Sequence, residues 1–515
     1  MRAALRIGAG VLVVAAAATY GCTSLPPLGQ RTASAALLDT AGTRLGQAIA
    51  PLAAEHPNRS GIHALSDGRD AFAARVLLAR GAERSLDVQY YIWRDDLTGT
   101  LLLDALRSAA ARGVRVRLLL DDNNTAGLDP VLAALDREPN IEVRLFNPFG
   151  ARRWRSLGYL TDFSRLNRRM HNKSFTADNQ ATIVGGRNIG DEYFGVGGDM
   201  LFVDLDVLAV GPVVRDVSQD FDRYWNSASA YPVMALVDPA VAQDENMLPR
   251  RAATLRAAPE AQRYLAAMRS SPFVEQLAQR ALPLEWGTTR LVSDDPDKAI
   301  GKIEASSRMV IDLGKLLGEP KQQVDLVSPY FVPSKKAAQQ LADIARNGVQ
   351  VRVLTNSLEA TDVAAVHAGY AKWRHELLGA GVALYELRRR WGPALPDTGR
   401  GRFGGSASSL HAKTFGVDGR RVFVGSFNMD RRSIDLNTEM GFVIDSPPLA
   451  RRLRQTLDES IPGTAYEVRL DAEGKLYWLE RSDGKVLRYA QEPGTTVWKR
   501  AGVGILSILP IDWLL

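Results

Sequence analysis

The sequence predicts an α/β protein made of two similar domains, each a mixed sheet flanked by helices, related by a pseudo-twofold axis with one active site between them. Three observations predict this. The chain has 515 residues, more than the roughly 250 to 300 at which a single core stops growing. A strand, helix, strand pattern occurs twice. A short polar motif also occurs twice, at a matching place after each pattern. With 46% hydrophobic and 24% charged residues, the composition excludes a disordered chain and a polytopic membrane protein.

At the N-terminus, Arg2 and Arg6 precede an apolar run from Ile7 to Ala18 that ends in Thr19-Tyr20-Gly21-Cys22. The run falls short of the ~20 residues a spanning helix needs and has the layout of an export signal. The Gly-Cys junction resembles a bacterial lipoprotein processing site, which makes residues 1–22 a leader and Cys22 the lipidated residue. An uncleaved anchor, or secretion with a free thiol, are the alternatives. Each puts the body in the cell envelope, on the periplasmic side. Cys22 is the single cysteine, so an intrachain disulfide and a cysteine zinc site are excluded. Residues 23–60 read as a linker.

The first domain is assigned to 61–282. Leu86 to Trp93 is a β-rich apolar run, Gly99 to Arg112 has helical spacing, and Gly113 to Leu120 is a second strand. The unit recurs as Val324 to Phe331, Lys335 to Asn347 and Gly348 to Leu354, within a second domain assigned to 283–495. Parallel strands with helical crossovers predict sheets covered on both faces and a ligand site beyond the strand C-termini. Ala235 to Leu282 reads as helices and connector. Arg400 to Ser409 is either a lid or a solvated connection. The last segment, 496–515, pairs Trp498, Lys499 and Arg500 with aliphatic residues. It is either an interfacial amphipathic element or a piece packed on the domain surface.

The repeated motif is H-x-K-[ST]-F-x-x-D, at His171 to Asp178 and again at His411 to Asp418. A glycine-led turn follows each copy, with Asn188 after the first and Ser426 and Asn428 after the second. His171 to Asn188 and His411 to Asn428 are equally spaced. Histidine and lysine two apart on a strand leave the same face. A neutral imidazole attacks phosphorus, while a protonated one gives its proton to the departing alkoxide. Lysine charges and amide donors offset the charge on the equatorial oxygens. One copy has too few groups, so His171, Lys173 and Asn188 are expected to pool with His411, Lys413, Asn428 and Ser426.

Such a histidine needs a carboxylate to hold its tautomer. Glu439 is expected to serve the second motif. Asp206, from Asp204-Leu205-Asp206, is expected to serve the first. Asp178 and Asp418 close the motifs and read as holding turns or neighbouring backbone. No metal or cofactor is needed: His56, His63, His367 and His375 do not cluster with carboxylates at ligand spacing. His367 is either a packing group or part of the cleft wall. The runs Arg152, Arg153, Trp154, Arg155, Arg165, Arg168, Arg169 and Arg388, Arg389, Arg390, Trp391 are either solvated faces or collectors of anionic headgroups. The net charge of +6 suits headgroups or phosphates without demanding nucleic acid.

The paired motifs with their G-[GS]-x-N turns resemble the phospholipase D superfamily. Leu86 to Asn124, Thr161 to Phe194, Leu291 to Asp297, Thr355 to Tyr370 and Ile508 to Leu515 are similar to bacterial cardiolipin synthases of the C type. The resemblance runs from about Ser60 to the C-terminus. It implies a catalytic set of His171, Lys173, Asp178, His411, Lys413 and Asp418, with a phosphatidyl-histidine on His171 and His411 as acid, then base. It implies a phosphatidyltransferase that moves a phosphatidyl group to phosphatidylglycerol, with phosphatidylethanolamine as a possible donor and an accessory protein left open. A phospholipase or nuclease shares the same catalytic set, and differs in that water meets the intermediate.

Overall fold

The computed structural model describes residues 25–29, 31–150, 152–197, 200–241, 244, 246–303, 308–389, 407–482 and 484–508. Cys22 and the leader lie outside the described residues, as do Arg390, Trp391, most of the Arg400 to Ser409 stretch, and 509–515.

In the first half, strands Ser85–Tyr90, Arg115–Asp121 and Ile141–Phe146 run parallel. Helices Leu97–Ala111 and Asp129–Asp136 cross between them. Ser174–Ala177 adds antiparallel to Ser85–Tyr90, followed by Ala181–Gly185, Asp206–Val210 and Ser60–Leu65. The second half repeats this order. Gln323–Val327, Gln350–Asn356 and Ala383–Leu387 are parallel; Thr414–Val417, Arg421–Gly425, Met440–Asp445 and Glu285–Ser293 follow antiparallel. Gly113 at φ 93° and Gly348 at φ 88° turn each crossover helix into its next strand, a left-handed conformation that a Cβ disfavours.

The sequence accounts for the layers. Every residue of Ser85–Tyr90 is buried, as expected where helices cover both faces of a parallel sheet. Its polar member Asp87 is paired with buried Arg117 at 2.7 Å. Each half has its own core. A third cluster, including Ile62, Val184, Val207, Val422, Phe442 and Ile444, fills the seam between halves. Burying each such side chain contributes about 1.5–3 kcal/mol, so the seam is a true core. Strand Glu285–Ser293 crosses it, pairing first with Ser60–Leu65 and then with Met440–Asp445.

Two features depart from simple doubling. Ala230–Pro232 edges Ile141–Phe146 antiparallel as Ala465–Leu470 edges Ala383–Leu387, but only the second half extends this edge, with Leu476–Ser482 and Lys485–Tyr489. Met200–Val203 of the first half pairs parallel with Ala407–Leu410 of the second, as a separate ribbon. The connector contains helices Met247–Ala257, Pro259–Arg269 and Pro272–Ala278. Among the described residues no helix is long and apolar enough to cross a membrane.

Candidate active site

Both H-x-K segments are extended chain leading into a central antiparallel strand, and each is clamped from behind. Asp121, at the end of Arg115–Asp121, accepts from the N–H of Met170 at 2.8 Å and from Arg169 at 3.2 Å. Asn356, at the equivalent strand end, bonds Leu410 N–H at 2.8 Å and Leu410 carbonyl at 3.0 Å. The residue before each histidine is therefore fixed by a polar side chain from the same half.

The other half grips the histidine itself. The N–H of His171 donates to Thr438 carbonyl at 2.9 Å, and that of His411 donates to Val203 carbonyl at 2.8 Å. The next residue along each gripping strand is the orienting carboxylate. His171 Nδ1 is 2.8 Å from Glu439 Oε2, and His411 Nδ1 is 2.5 Å from Asp204 Oδ2.

Two expectations are corrected here. Glu439 serves the first motif, not the second. Asp206 touches neither histidine: its Oδ2 accepts from Arg75 at 2.8 Å, lies 3.5 Å from Arg187, and is buried beneath the site. The carboxylate on His411 is Asp204, which the sequence reading passed over. Its geometry is tight. A Cβ on Gly186 would come within 2.1 Å of Asp204 Oδ1, so this turn requires glycine. The second half has Ser426 at the equivalent place, and its hydroxyl donates to Glu439 Oε2 at 2.5 Å. Ser433 donates to the other oxygen at 2.8 Å. Ser426 is thereby spent on Glu439, which leaves the phosphate-binding role expected of it without a free hydroxyl.

The asparagines differ. Asn188 donates to Tyr193 hydroxyl at 3.0 Å and accepts from Ile92 N–H at 3.2 Å, so most of its amide is used in the fold. Asn428 Oδ1 is buried without a hydrogen-bond partner. Aromatic rings wall both histidines: Tyr91 meets His171 edge-on at 5.0 Å, and Tyr193 and Phe202 lie 5.2 and 5.0 Å from His411.

Electrostatics tie the two motifs into one site. Burial pushes Lys173 down to about 7 and Lys413 down to about 8. Burial and the nearby Lys173 and Lys413 hold His171 well below the ordinary imidazole value. Burial and Lys413 bring His411 to about 4, with Asp204 pulling the other way. Each lysine charge thus reaches the other half's histidine. Burial lifts Glu439 to about 7, with Lys173 opposing, whereas Asp204 is held at about 2 because His411, Lys413 and Arg187 outweigh its burial.

Asp178 and Asp418 sit at the far ends of their strands with φ of 51° and 52°. Asp178 accepts from the N–H groups of Glu83, Arg84 and Ser85, and Asp418 from those of Lys321, Gln322 and Gln323. They are backbone anchors, and a place in the catalytic set is corrected accordingly. His367 is buried against Glu492 at 2.9 Å and Arg374 at 2.8 Å, away from the cleft. In the first arginine run, Arg152 pairs with Asp122 and Asp129, and Arg165 with Asp162. Arg168 donates to the carbonyls of Lys298 and Asp435 across the seam. Among the described residues no cluster of His, Cys, Asp and Glu is placed to hold a metal.

A duplicated α/β fold whose two H-x-K strands share one cleft is the architecture of the phospholipase D superfamily. The model of the family described as cardiolipin synthase, PLD-like domain, matches residues 78–225 and 313–461, and the chain belongs to this family. It is 52% identical to cardiolipin synthase C of Escherichia coli (strain K12) over 92% of this chain and 100% of that one. It is 27% identical to a cardiolipin synthase of Geobacillus kaustophilus over 77% of this chain and 65% of the relative. Among solved structures, phosphatidylserine synthase of Haemophilus influenzae shares the fold. The TM-score is 0.56 at 15% identity, covering 92% of this chain and 100% of that one.

Proposed function

We propose that the protein is a phosphatidyltransferase of the cardiolipin synthase type, working through a phosphohistidine at the membrane surface. One observation carries the reading: each half supplies a histidine whose Nδ1 is bonded to a carboxylate from the other half. That fixes Nδ1–H as donor and presents Nε2 to phosphorus.

The two pairs are unequal, which assigns roles. His411 faces Asp204, a carboxylate that stays charged, and so holds a proton more readily than His171, whose partner Glu439 is pushed up to about 7. His171 Nε2 forms a bond to phosphorus as the bond from phosphorus to the headgroup oxygen breaks, and protonated His411 gives its proton to that oxygen. The anionic phosphodiester itself raises the His411 value on binding. The hydroxyl of phosphatidylglycerol then passes its proton to His411 and attacks phosphorus, and the bond to His171 breaks. Lys173, Lys413 and the Nδ2 N–H groups of Asn428 stabilise the oxygens throughout. With phosphatidylethanolamine as donor, ethanolamine leaves and cardiolipin forms. The body sits on the periplasmic side, held by a lipidated Cys22; Cys22→Ser should abolish the lipid-dependent mobility shift.

The test is full-length protein in vesicles of phosphatidylglycerol and phosphatidylethanolamine, with products read by mass spectrometry. Wild type is expected to yield cardiolipin, and His171→Ala none. His411→Ala, given a substrate with a good leaving group, is expected to accumulate the phosphatidyl adduct on His171. Phosphatidic acid without cardiolipin would make the protein a hydrolase. Unchanged lipids in all three would end the enzyme reading.

A further inference from the structure

The turn after the central parallel strand of each half has two neighbours. On one side is the clamp behind the histidine, Asp121 or Asn356. On the other is a helix with an uncovered apolar face. In the first half, Arg155 donates to Asp122 carbonyl at 2.6 Å and Tyr159 hydroxyl donates to Asn123 at 2.8 Å. These bonds seat helix Arg155–Thr161 and the preceding turn Arg152–Trp154 on that rim. In the second half, Lys499 donates to Leu358 carbonyl at 2.6 Å, and Val503 packs on Leu358 and Ala368. These contacts seat helix Val497–Ile508 on the matching rim.

Both helices face outward with side chains that a water-facing helix does not need. Trp154, Leu157 and Leu160 recur every third residue and form one stripe, with Leu160 82% exposed and Phe163 beside it. Trp498 and Ile505 lie on the outer side of the second helix, with Trp498 86% exposed, while Lys499, Val503 and Leu506 turn inward. Neither segment, 152–161 or 497–508, contains a carboxylate, and Lys499 and Arg500 add positive charge beside Trp498. Exposed Trp498 beside Lys499 and Arg500 with no acid matches an anionic interface, while the first stripe is apolar and its neighbouring acid, Asp162, is paired with Arg165.

We infer that these two helices form a bilayer-docking rim, one element from each half, which seats the mouth of the shared cleft on an anionic phospholipid surface. The inference rests on the lipid reading above and supplies what that reading lacks, a path for two insoluble substrates to a buried site. Around helix Arg155–Thr161 the arginines Arg152, Arg155, Arg165 and Arg168 are bonded to the protein, so its contribution is apolar insertion rather than headgroup collection.

The test uses full-length protein in vesicles containing phosphatidylglycerol brominated along its acyl chains. Wild-type tryptophan fluorescence is expected to be quenched, and the quenching to fall in Trp154→Phe and again in Trp498→Phe. Leu157→Asp with Leu160→Asp, and separately Trp498→Asp with Ile505→Asp, are expected to slow turnover on vesicles by at least about tenfold. Turnover of a short-chain monomeric phospholipid should be unchanged. If an Asp variant melts early, the Gln versions carry the same readouts. Quenching that ignores both tryptophans, or vesicle rates equal to wild type, would overturn the rim. Crosslinked pairs of chains with both tryptophans unquenched would assign it to a second copy and overturn it too. If wild type turns over no lipid at all, the fluorescence still decides the docking, and only the functional reading fails.

Discussion

Replacing Asp204 by Asn separates the site seen in the structure from the one expected in sequence. Asp204 is fully buried, yet His411, Lys413 and Arg187 hold it at about 2, against an ordinary 3.8. That difference amounts to about 2 kcal/mol of net attraction. Because the folded value lies below the unfolded one, this stabilisation is complete above the unfolded value and is lost as pH falls toward 2; near neutrality His411, at about 4, is neutral until the phosphodiester binds, and Lys413 and Arg187 carry the attraction. The imidazolium of His411 loses a comparable interaction, roughly 30-fold in its protonated fraction. Loss of the tautomer brings the expected fall in kcat to about 1000-fold. A phosphodiester with a nitrophenolate leaving group needs no acid, so on it the variant should recover most of the loss. Asp206→Asn should behave oppositely. It removes the charge partner of buried Arg75, costs about 3–5 kcal/mol of stability, and lowers Tm while the folded fraction shows no leaving-group dependence beyond that of wild type. Wild-type rates in Asp204→Asn on natural lipid, or the same leaving-group dependence in Asp206→Asn, would refute the reasoning.

Three further outcomes are expected. Lys173 near 7 and Lys413 near 8 act protonated, so kcat/KM should fall as pH rises through about 7–8. His171, already neutral well below 6.5, adds no acid limb of its own. Glu439, lifted to about 7, has to be ionised to accept from His171 Nδ1–H, so kcat/KM should also fall as pH drops below about 7; a profile flat down to about pH 5 would contradict this. Gly186→Ala forces a Cβ into the Asp204 carboxylate, so its kinetic defect on natural and nitrophenyl substrates should parallel that of Asp204→Asn; a normal rate would show that the turn yields. Asp178→Ala strands the N–H groups of Glu83, Arg84 and Ser85 and should cost about 2–4 kcal/mol in thermal unfolding, with kcat of the folded enzyme within twofold of wild type as a rough bound.

The doubling was legible because its signals are local. Strand runs, glycine turns and the spacing of His171 to Asn188 each follow from a few consecutive residues and from the strand period. The carboxylate partners depend on register between distant strands, and no local pattern carries that. Glu439 follows His411 in sequence and looks like its partner, but the bridge from Thr438 to His171 delivers it to the other half. Asp204 and Asp206 are two apart, so strand alternation alone cannot choose between them. The choice falls out of space at the turn. Gly186 leaves room for the shorter Asp204, whereas Ser426 occupies that room and its hydroxyl meets the longer Glu439. The arginine run misled for a related reason. Composition shows charge, while only the fold shows that Arg152, Arg165 and Arg168 already have partners, leaving Leu157 and Leu160 outward.

The exchange of carboxylates also explains why the site needs both halves. A lone half would carry a histidine clamped from behind by Asp121 or Asn356 but with no acceptor on Nδ1, no second imidazole, and a buried lysine without the other half's carboxylate, Glu439 for Lys173 or Asp204 for Lys413. Burial would then drive that lysine toward its neutral form, removing the charge the phosphate needs. Bringing the halves together supplies three things through the same two strands. The backbone bridges from Thr438 and Val203 hold the histidines, the next residues orient them, and those same carboxylates keep Lys173 and Lys413 more basic than burial alone would leave them. Assembly of the seam and activation of the site are therefore one event.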